Sequence, residues 1–242
     1  MEENYFELNL PSKLIPYKSE GVSKVEIRML KGKDLKIIGE ATTANFEKKF
    51  KLLLKNILRG IEPGRLTIGD RIYIVIWLTL NCHSNLFPIE LMCEHCFRTD
   101  KDYKVDLGKL EKVLLPDDFQ EPYSLKLPNG ESVLLRLYRV DDQIQYMDYI
   151  EAKKEDDIIF KLAQVVVGDE TIDKKVERLN GMSLQDIDLI RAFLEKYYHG
   201  VDMNASYTCK HCGGTGKTPV PFRIDLLFPA GALVAESLGY HI

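Results

Sequence analysis

Four of the five cysteines in this chain fall in two C-x-x-C pairs, Cys93-Glu-His-Cys96 and Cys209-Lys-His-Cys212, and no other feature restricts the fold as tightly. A C-x-x-C turn presents two thiolates from one backbone loop, and two such turns complete the tetrahedral set that zinc requires. The expected ligands are therefore Cys93, Cys96, Cys209 and Cys212, with zinc as a structural cofactor. Iron in a rubredoxin-like site would use the same four residues, and thiols carrying no metal are the plain alternative. A thioredoxin-type redox pair would open a helix. Here Cys212 runs into Gly213-Gly-Thr-Gly216 and then Pro219 and Pro221, a poor helix start. His95 and His211 lie between ligating cysteines, badly aimed at the same ion, and read as spectators. Cys82 reads as a small hydrophobe.

The 112 residues between Cys96 and Cys209 are too many for an ordinary zinc ribbon. They make sense if each half of the chain supplies one knuckle, and an ordered internal repeat supports this. Val25-Glu-Ile-Arg-Met-Leu30 answers to Val133-Leu-Leu-Arg-Leu-Tyr138. Leu66-Thr-Ile-Gly-Asp70 answers to Met182-Ser-Leu-Gln-Asp186, each shaped like a helix N-cap with an acid three residues on. Asp70 to Cys93 and Asp186 to Cys209 are both 23 positions, and the closing runs end Val105-Asp-Leu107 and Ile224-Asp-Leu226.

The expected fold is α+β: two tandem, duplicated strand-helix-helix-strand units joined by a zinc-ribbon-like site of four cysteines. The units span 1–115 and 116–228, and an apolar tail, 229–242, follows. Strands are expected at 24–30 and 132–139, and first helices at 33–59 and 141–167. Phe46, Phe50, Leu53, Leu54, Ile57 and Leu58 recur there at helical spacing. Second helices are expected at 67–80 and 183–198. The run Ile72–Leu80 is β-branched enough to suit a buried strand, and analogy with Leu184–Tyr197 favours helix. Leu115-Pro-Asp-Asp-Phe-Gln-Glu-Pro-Tyr123 reads as the linker. The tail, with Glu236 almost its sole charge, either docks on the parent domain or awaits a partner.

Composition excludes several functions. At 45% hydrophobic the chain can bury a core, and a net charge of −4 gives no basic excess for nucleic acid. The longest apolar run is too short for a bilayer, and Met-Glu-Glu-Asn-Tyr-Phe does not resemble a signal peptide. An intracellular protein is expected, neither secreted nor inserted. Gly-Gly-Thr-Gly-Lys-Thr218 lacks P-loop spacing. Cys209–Lys217 resembles one repeat of the J-domain co-chaperones, which carry four. The acid pairs Asp117-Asp118, Asp141-Asp142 and Asp156-Asp157 suit helix starts, no histidine has a catalytic context, and no G-x-S-x-G elbow occurs. No enzyme is expected, and no small-molecule substrate. Lys48, Lys51, Lys55 and Arg59 form a basic helix face, either solvated or a contact for an acidic partner.

The Leu-Pro start, the Val-x-Ile-Arg strand, Leu-Thr-x-x-Asp-Arg71, the C-x-x-C turn and the closing Val-Asp-Leu107 together resemble the T4-like phage baseplate hub assembly family. The resemblance implies a non-catalytic structural or assembly protein of a contractile tail. It would sit in the virion baseplate, or in the host cytoplasm during assembly, with other hub or tail proteins as partners. Zinc rests on the cysteines alone. The alternative is a zinc-ribbon adaptor or nucleic-acid-binding module, for which the knuckles offer Arg98, Lys101, Lys104, Lys210, Lys217 and Arg223 among interrupting acids.

Overall fold

The computed structural model describes residues 3–42, 45–153, 155 and 157–227. Its first half runs β1 (Tyr5–Glu7), β2 (Glu26–Arg28), α1 (Leu35–Gly39), α2 (Phe46–Ile57), β3 (Leu58–Arg59), α3 (Ile68–Cys82), β4 (Leu86–Met92), β5 (Thr99–Asp106) and β6 (Lys112–Val113). There follow β7 (Tyr123–Lys126), β8 (Ser132–Leu135), α4 (Val140–Lys153), α5 (Ile158–Ala163), α6 (Ile172–Asn180) and α7 (Leu184–Lys196). The chain closes with β9 (Gly200–Val201), β10 (Asn204–Thr208) and β11 (Thr215–Pro219). The α+β class is as expected. The tail at 229–242 lies outside the described residues.

The chain divides into two compact units, but not at the linker. One unit combines residues 1–71 with 114–200, and the other combines 72–113 with 201–242. This departs from the expected 1–115 and 116–228 halves, and burial explains why. Leu115 and Phe119, in the supposed linker, are 0% and 3% exposed and belong to the core of the first unit. There Phe119 meets the Tyr197 ring at 4.8 Å, and Tyr123 meets Phe193 at 5.2 Å.

In the first unit β1, β2 and β3 form an antiparallel sheet and β7 pairs with β8. The long helices expected at 33–59 and 141–167 are each broken, and local side chains do the breaking. Asn45 accepts the Thr42 N–H at 2.7 Å and returns a bond to the Glu40 carbonyl, which competes with helix between α1 and α2. Asp157 caps α5 by accepting from the N–H groups of Ile159 and Phe160. Both anticipated N-caps are present: Thr67 Oγ1 accepts from Asp70 N at 3.3 Å, and Ser183 Oγ from Asp186 N at 3.2 Å. The region 72–80 is helical, within α3, so the helix reading of the β-branched run holds. The basic face of α2 is used internally. Lys48 pairs with Asp148 and Lys51 with Asp141, both at 2.6 Å, on α4.

A twin arrangement recurs 108 residues apart. Arg28 grips the Asp34 carboxylate with both terminal nitrogens, at 2.8 and 2.9 Å, while Asp34 also accepts the Lys31 N–H. Arg136 grips Asp142 the same way, at 2.6 and 2.7 Å, while Asp142 accepts the Arg139 N–H. Each arginine also donates to the carbonyl of the next residue, Met29 or Leu137. The repeated Val-x-x-Arg strand of the sequence is thus one end of a repeated strand-to-helix clasp.

The second unit holds most of α3 and two antiparallel hairpins, β4–β5 and β10–β11. Ile74, Val75, Ile76 and Leu78 of α3 are buried, as are Phe87, Leu91, Val105 and Tyr207 of the hairpins. Thr79 donates to the Leu226 carbonyl at 2.7 Å and ties the helix to the end of the described chain.

Candidate metal centre

Each hairpin ends in a knuckle, and the two knuckles are built alike. After β4, Cys93 N donates to the Arg98 carbonyl and Phe97 N to the Cys93 carbonyl, at 3.0 and 2.8 Å. After β10, Cys209 N donates to Gly214 and Gly213 N to Cys209, at 2.8 and 2.9 Å. The offset is 116 residues in every pair. The turn requires a left-handed residue at its tip, which Gly213 supplies at φ 72° without steric cost. In the first knuckle that place is taken by Phe97, at φ 56° and 75% exposed.

The glycines after Cys212 also make room. A Cβ on Gly214 would stand 2.5 Å from the His95 ring, and one on Gly216 would stand 2.8 Å from the ring of Tyr207. His95 uses the space to place Nε2 at 2.9 Å from the Thr215 carbonyl, so it bridges the knuckles. Both histidines are spectators of the thiol cluster, as their positions implied: His211 contributes its backbone N–H to Cys209 Sγ at 3.4 Å.

The four sulfurs of Cys93, Cys96, Cys209 and Cys212 lie within 4.8 Å of one another. Cys93 to Cys212 and Cys96 to Cys209 are each 3.7 Å. Sulfurs bound to zinc at roughly 2.3 Å stand about 3.8 Å apart along a tetrahedral edge, which those two contacts match, and the four thiols are close enough together to hold one metal ion. No disulfide links the cysteines. Cys93 and Cys209 are buried beside Leu91 and Tyr207, Cys96 is half-buried and Cys212 is exposed. The N–H of Cys96, aided by that of His95 and by the Cys209 and Cys212 thiols, lowers the Cys93 thiol to about 6 against the effect of burial. The Gly214 N–H favours a thiolate at Cys212, but burial and the three neighbouring sulfurs outweigh it and push that thiol up to about 12. Binding a metal would displace the protons that remain on the four thiols.

All four cysteines belong to the second unit. A bound metal would clamp two hairpins of one compact body, which corrects the expectation that it joins separate tandem units. Cys82 ends α3 outside the cluster. Three of the six basic residues of the knuckles have acidic partners: Lys210 pairs with Asp100, Lys217 with Asp202 and Arg223 with Asp225. That pairing weakens the case for a nucleic-acid backbone as ligand. Among the described residues, no helix is long and apolar enough to cross a membrane.

Sequence reasoning singled out the four cysteines that the structure brings together but missed the Arg28–Asp34 and Arg136–Asp142 clasps, although Arg28 and Arg136 stood at matched places in the repeat. The missing signal was the acid six residues later in both halves. Compared with known proteins, residues 6–228 match the model of the family described as T4 bacteriophage base plate protein. No curated protein and no solved structure matches the chain.

Proposed function

The chain belongs to the T4 bacteriophage base plate protein family, and from that premise we propose that it is a non-enzymatic structural or assembly protein of the baseplate hub in a contractile-tailed phage. It acts through contacts with other hub or tail proteins. The observation that carries this reading is the length of the match, which covers most of both compact units and both knuckles. Within it, Cys93, Cys96, Cys209 and Cys212 bind one structural zinc. The sulfur spacing and the soft four-thiolate donor set support zinc, and burial of two of the four thiols supports a closed structural site.

The two halves of the chain descend, in this reading, from one duplicated unit. Support comes from three geometries repeated in order: the Arg–Asp clasp, the hydroxyl N-cap and the cysteine knuckle. The offset changes once, from 108 to 116 residues, and α6 lies in the second half where the extra residues fall.

A phage deleted for this gene and complemented by a tagged copy tests the role. Loss of complete baseplates on deletion, and recovery of hub or tail proteins with the tag, is expected. Normal baseplates assembled without the protein would end the proposal. Mass spectrometry of purified particles then separates a retained component from one that leaves after assembly.

A further inference from the structure

Exposure divides the thiol cluster in a regular way. Each knuckle has its first cysteine buried, Cys93 or Cys209, and its second nearer solvent, Cys96 or Cys212. The 3.7 Å contacts join an accessible sulfur of one knuckle to a buried sulfur of the other. An oxidant arriving from solvent thus meets Cys212 first, and the sulfur poised to resolve the product is Cys93, across the knuckle boundary.

We propose that the site is a redox-exchangeable clamp, in which peroxide replaces the zinc with two disulfides that cross between the knuckles, Cys93–Cys212 and Cys96–Cys209. This rests on the zinc reading above. In the first step Cys212, which would be a thiolate when zinc is bound, attacks one oxygen of hydrogen peroxide, becomes a sulfenic acid and releases hydroxide. The Cys93 thiolate then attacks the sulfenic sulfur, forms the S–S bond and expels a second hydroxide. A second peroxide oxidises Cys96 and Cys209 in the same manner. Two peroxides are reduced, four thiolates are oxidised, and one zinc ion departs with four hydroxides formed. A disulfide needs about 2 Å between sulfurs, so each pair closes by less than 2 Å. Bonds within the C-x-x-C turns would leave the hairpins untied, whereas crossed bonds keep them tied after the metal is gone. The clamp then persists on passing from a reducing to an oxidising medium.

The test uses the full zinc-loaded chain, titrated with hydrogen peroxide in the presence of a chromogenic zinc chelator, with disulfides mapped by mass spectrometry without reduction. One zinc released for every two peroxides is expected, with the Cys93–Cys212 peptide preceding the Cys96–Cys209 peptide. The oxidised, metal-free protein should melt within a few degrees of the zinc-loaded form, and the reduced, chelator-stripped protein well below both. Predominant Cys93–Cys96 or Cys209–Cys212 bonds overturn the proposal, as does zinc retained through oxidation. A chain that contains no zinc before peroxide is added overturns the zinc reading itself, which the starting metal content shows separately.

Discussion

Replacing Asp34 by Asn should be among the most damaging single changes to the first unit, and its twin, Asp142→Asn, should be milder. The Arg28 and Asp34 side chains are each 2% exposed, so neither charge can turn to water if the other is removed. Asp34 accepts three bonds, two from Arg28 and one from the Lys31 N–H. Stripping one partner from a buried pair costs about 3–5 kcal/mol. Glu3, 3.4 Å from Arg28 Nε, softens this toward the lower figure. At the twin site Arg136 is 28% exposed, so water takes over part of its solvation. The cost there should be nearer that of losing hydrogen bonds to a charged group, roughly 1.5–3 kcal/mol. Urea unfolding followed by far-ultraviolet circular dichroism reads the difference, since the first unit holds most of the helix. The reasoning fails if Asp34→Asn costs under about 1 kcal/mol, or if Asp142→Asn costs as much. The acid limb gives an independent check. Burial alone would raise the Asp34 carboxyl, but the Arg28 bonds and the Lys31 N–H outweigh it and hold the group below 3.8. Its stabilisation is complete above that value and is lost as pH falls through the lower folded value, so Asp34→Asn should shrink the unfolding step below about pH 4.

Cys209→Ser should abolish zinc binding and loosen the two hairpins while leaving most of the helical dichroism in place, because the four ligands sit in the unit poorer in helix; hydrogen exchange across β4, β5, β10 and β11 would show it, and protection unchanged there would contradict it. Phe97→Asn should raise stability by about 1 kcal/mol, since a left-handed phenylalanine is strained by about that much and its ring is mostly in water; a loss of stability in denaturant titration would mean the ring is held by contacts. Gly69→Ala should cost more than about 1 kcal/mol, because the new Cβ would lie 2.1 Å from the His199 carbonyl oxygen; a neutral melting point would be inconsistent with that approach. Burial holds the His83 imidazole below 6.5 despite a backbone bond with Leu227. The unfolded chain therefore binds the extra proton first, and stability should be full above 6.5 and decline as pH falls toward the folded value, a slope that His83→Gln removes from melting curves.

The sequence made the clustered cysteines legible because their chemistry is local: two residues of fixed type at a fixed spacing announce a knuckle whatever surrounds it. The N-caps at Thr67 and Ser183 were legible for the same reason. Helix interruptions were not, because the apolar residues flanking the breaks, Ile38 and Phe46 or Ile150 and Ile158, still fall at helical spacing, and periodicity gives no weight to an asparagine or aspartate that bonds its own backbone. The route of the chain was hidden too. A proline-bearing acidic stretch looks like a linker until Leu115 and Phe119 are seen to be buried, and burial is decided by partners as remote as Phe193 and Tyr197. The strand at β7 escaped notice because Tyr-Ser-Leu-Lys alternates over four residues only.

The discontinuous second unit has a consequence for synthesis on the ribosome. Its first segment ends at residue 113 and its second begins at 201, with an entire stretch of the other unit translated between. At about 5–20 residues per second, the β4–β5 knuckle exists for roughly 6–23 seconds before its counterpart 116 residues later can emerge. During that interval Cys93 and Cys96 form a half-site beside an uncovered apolar strand face, open to a stray metal, another nascent chain or a chaperone. Completion of the fold is thus timed by the last segment translated, and a stop codon anywhere before Cys212 leaves the first knuckle without its mate.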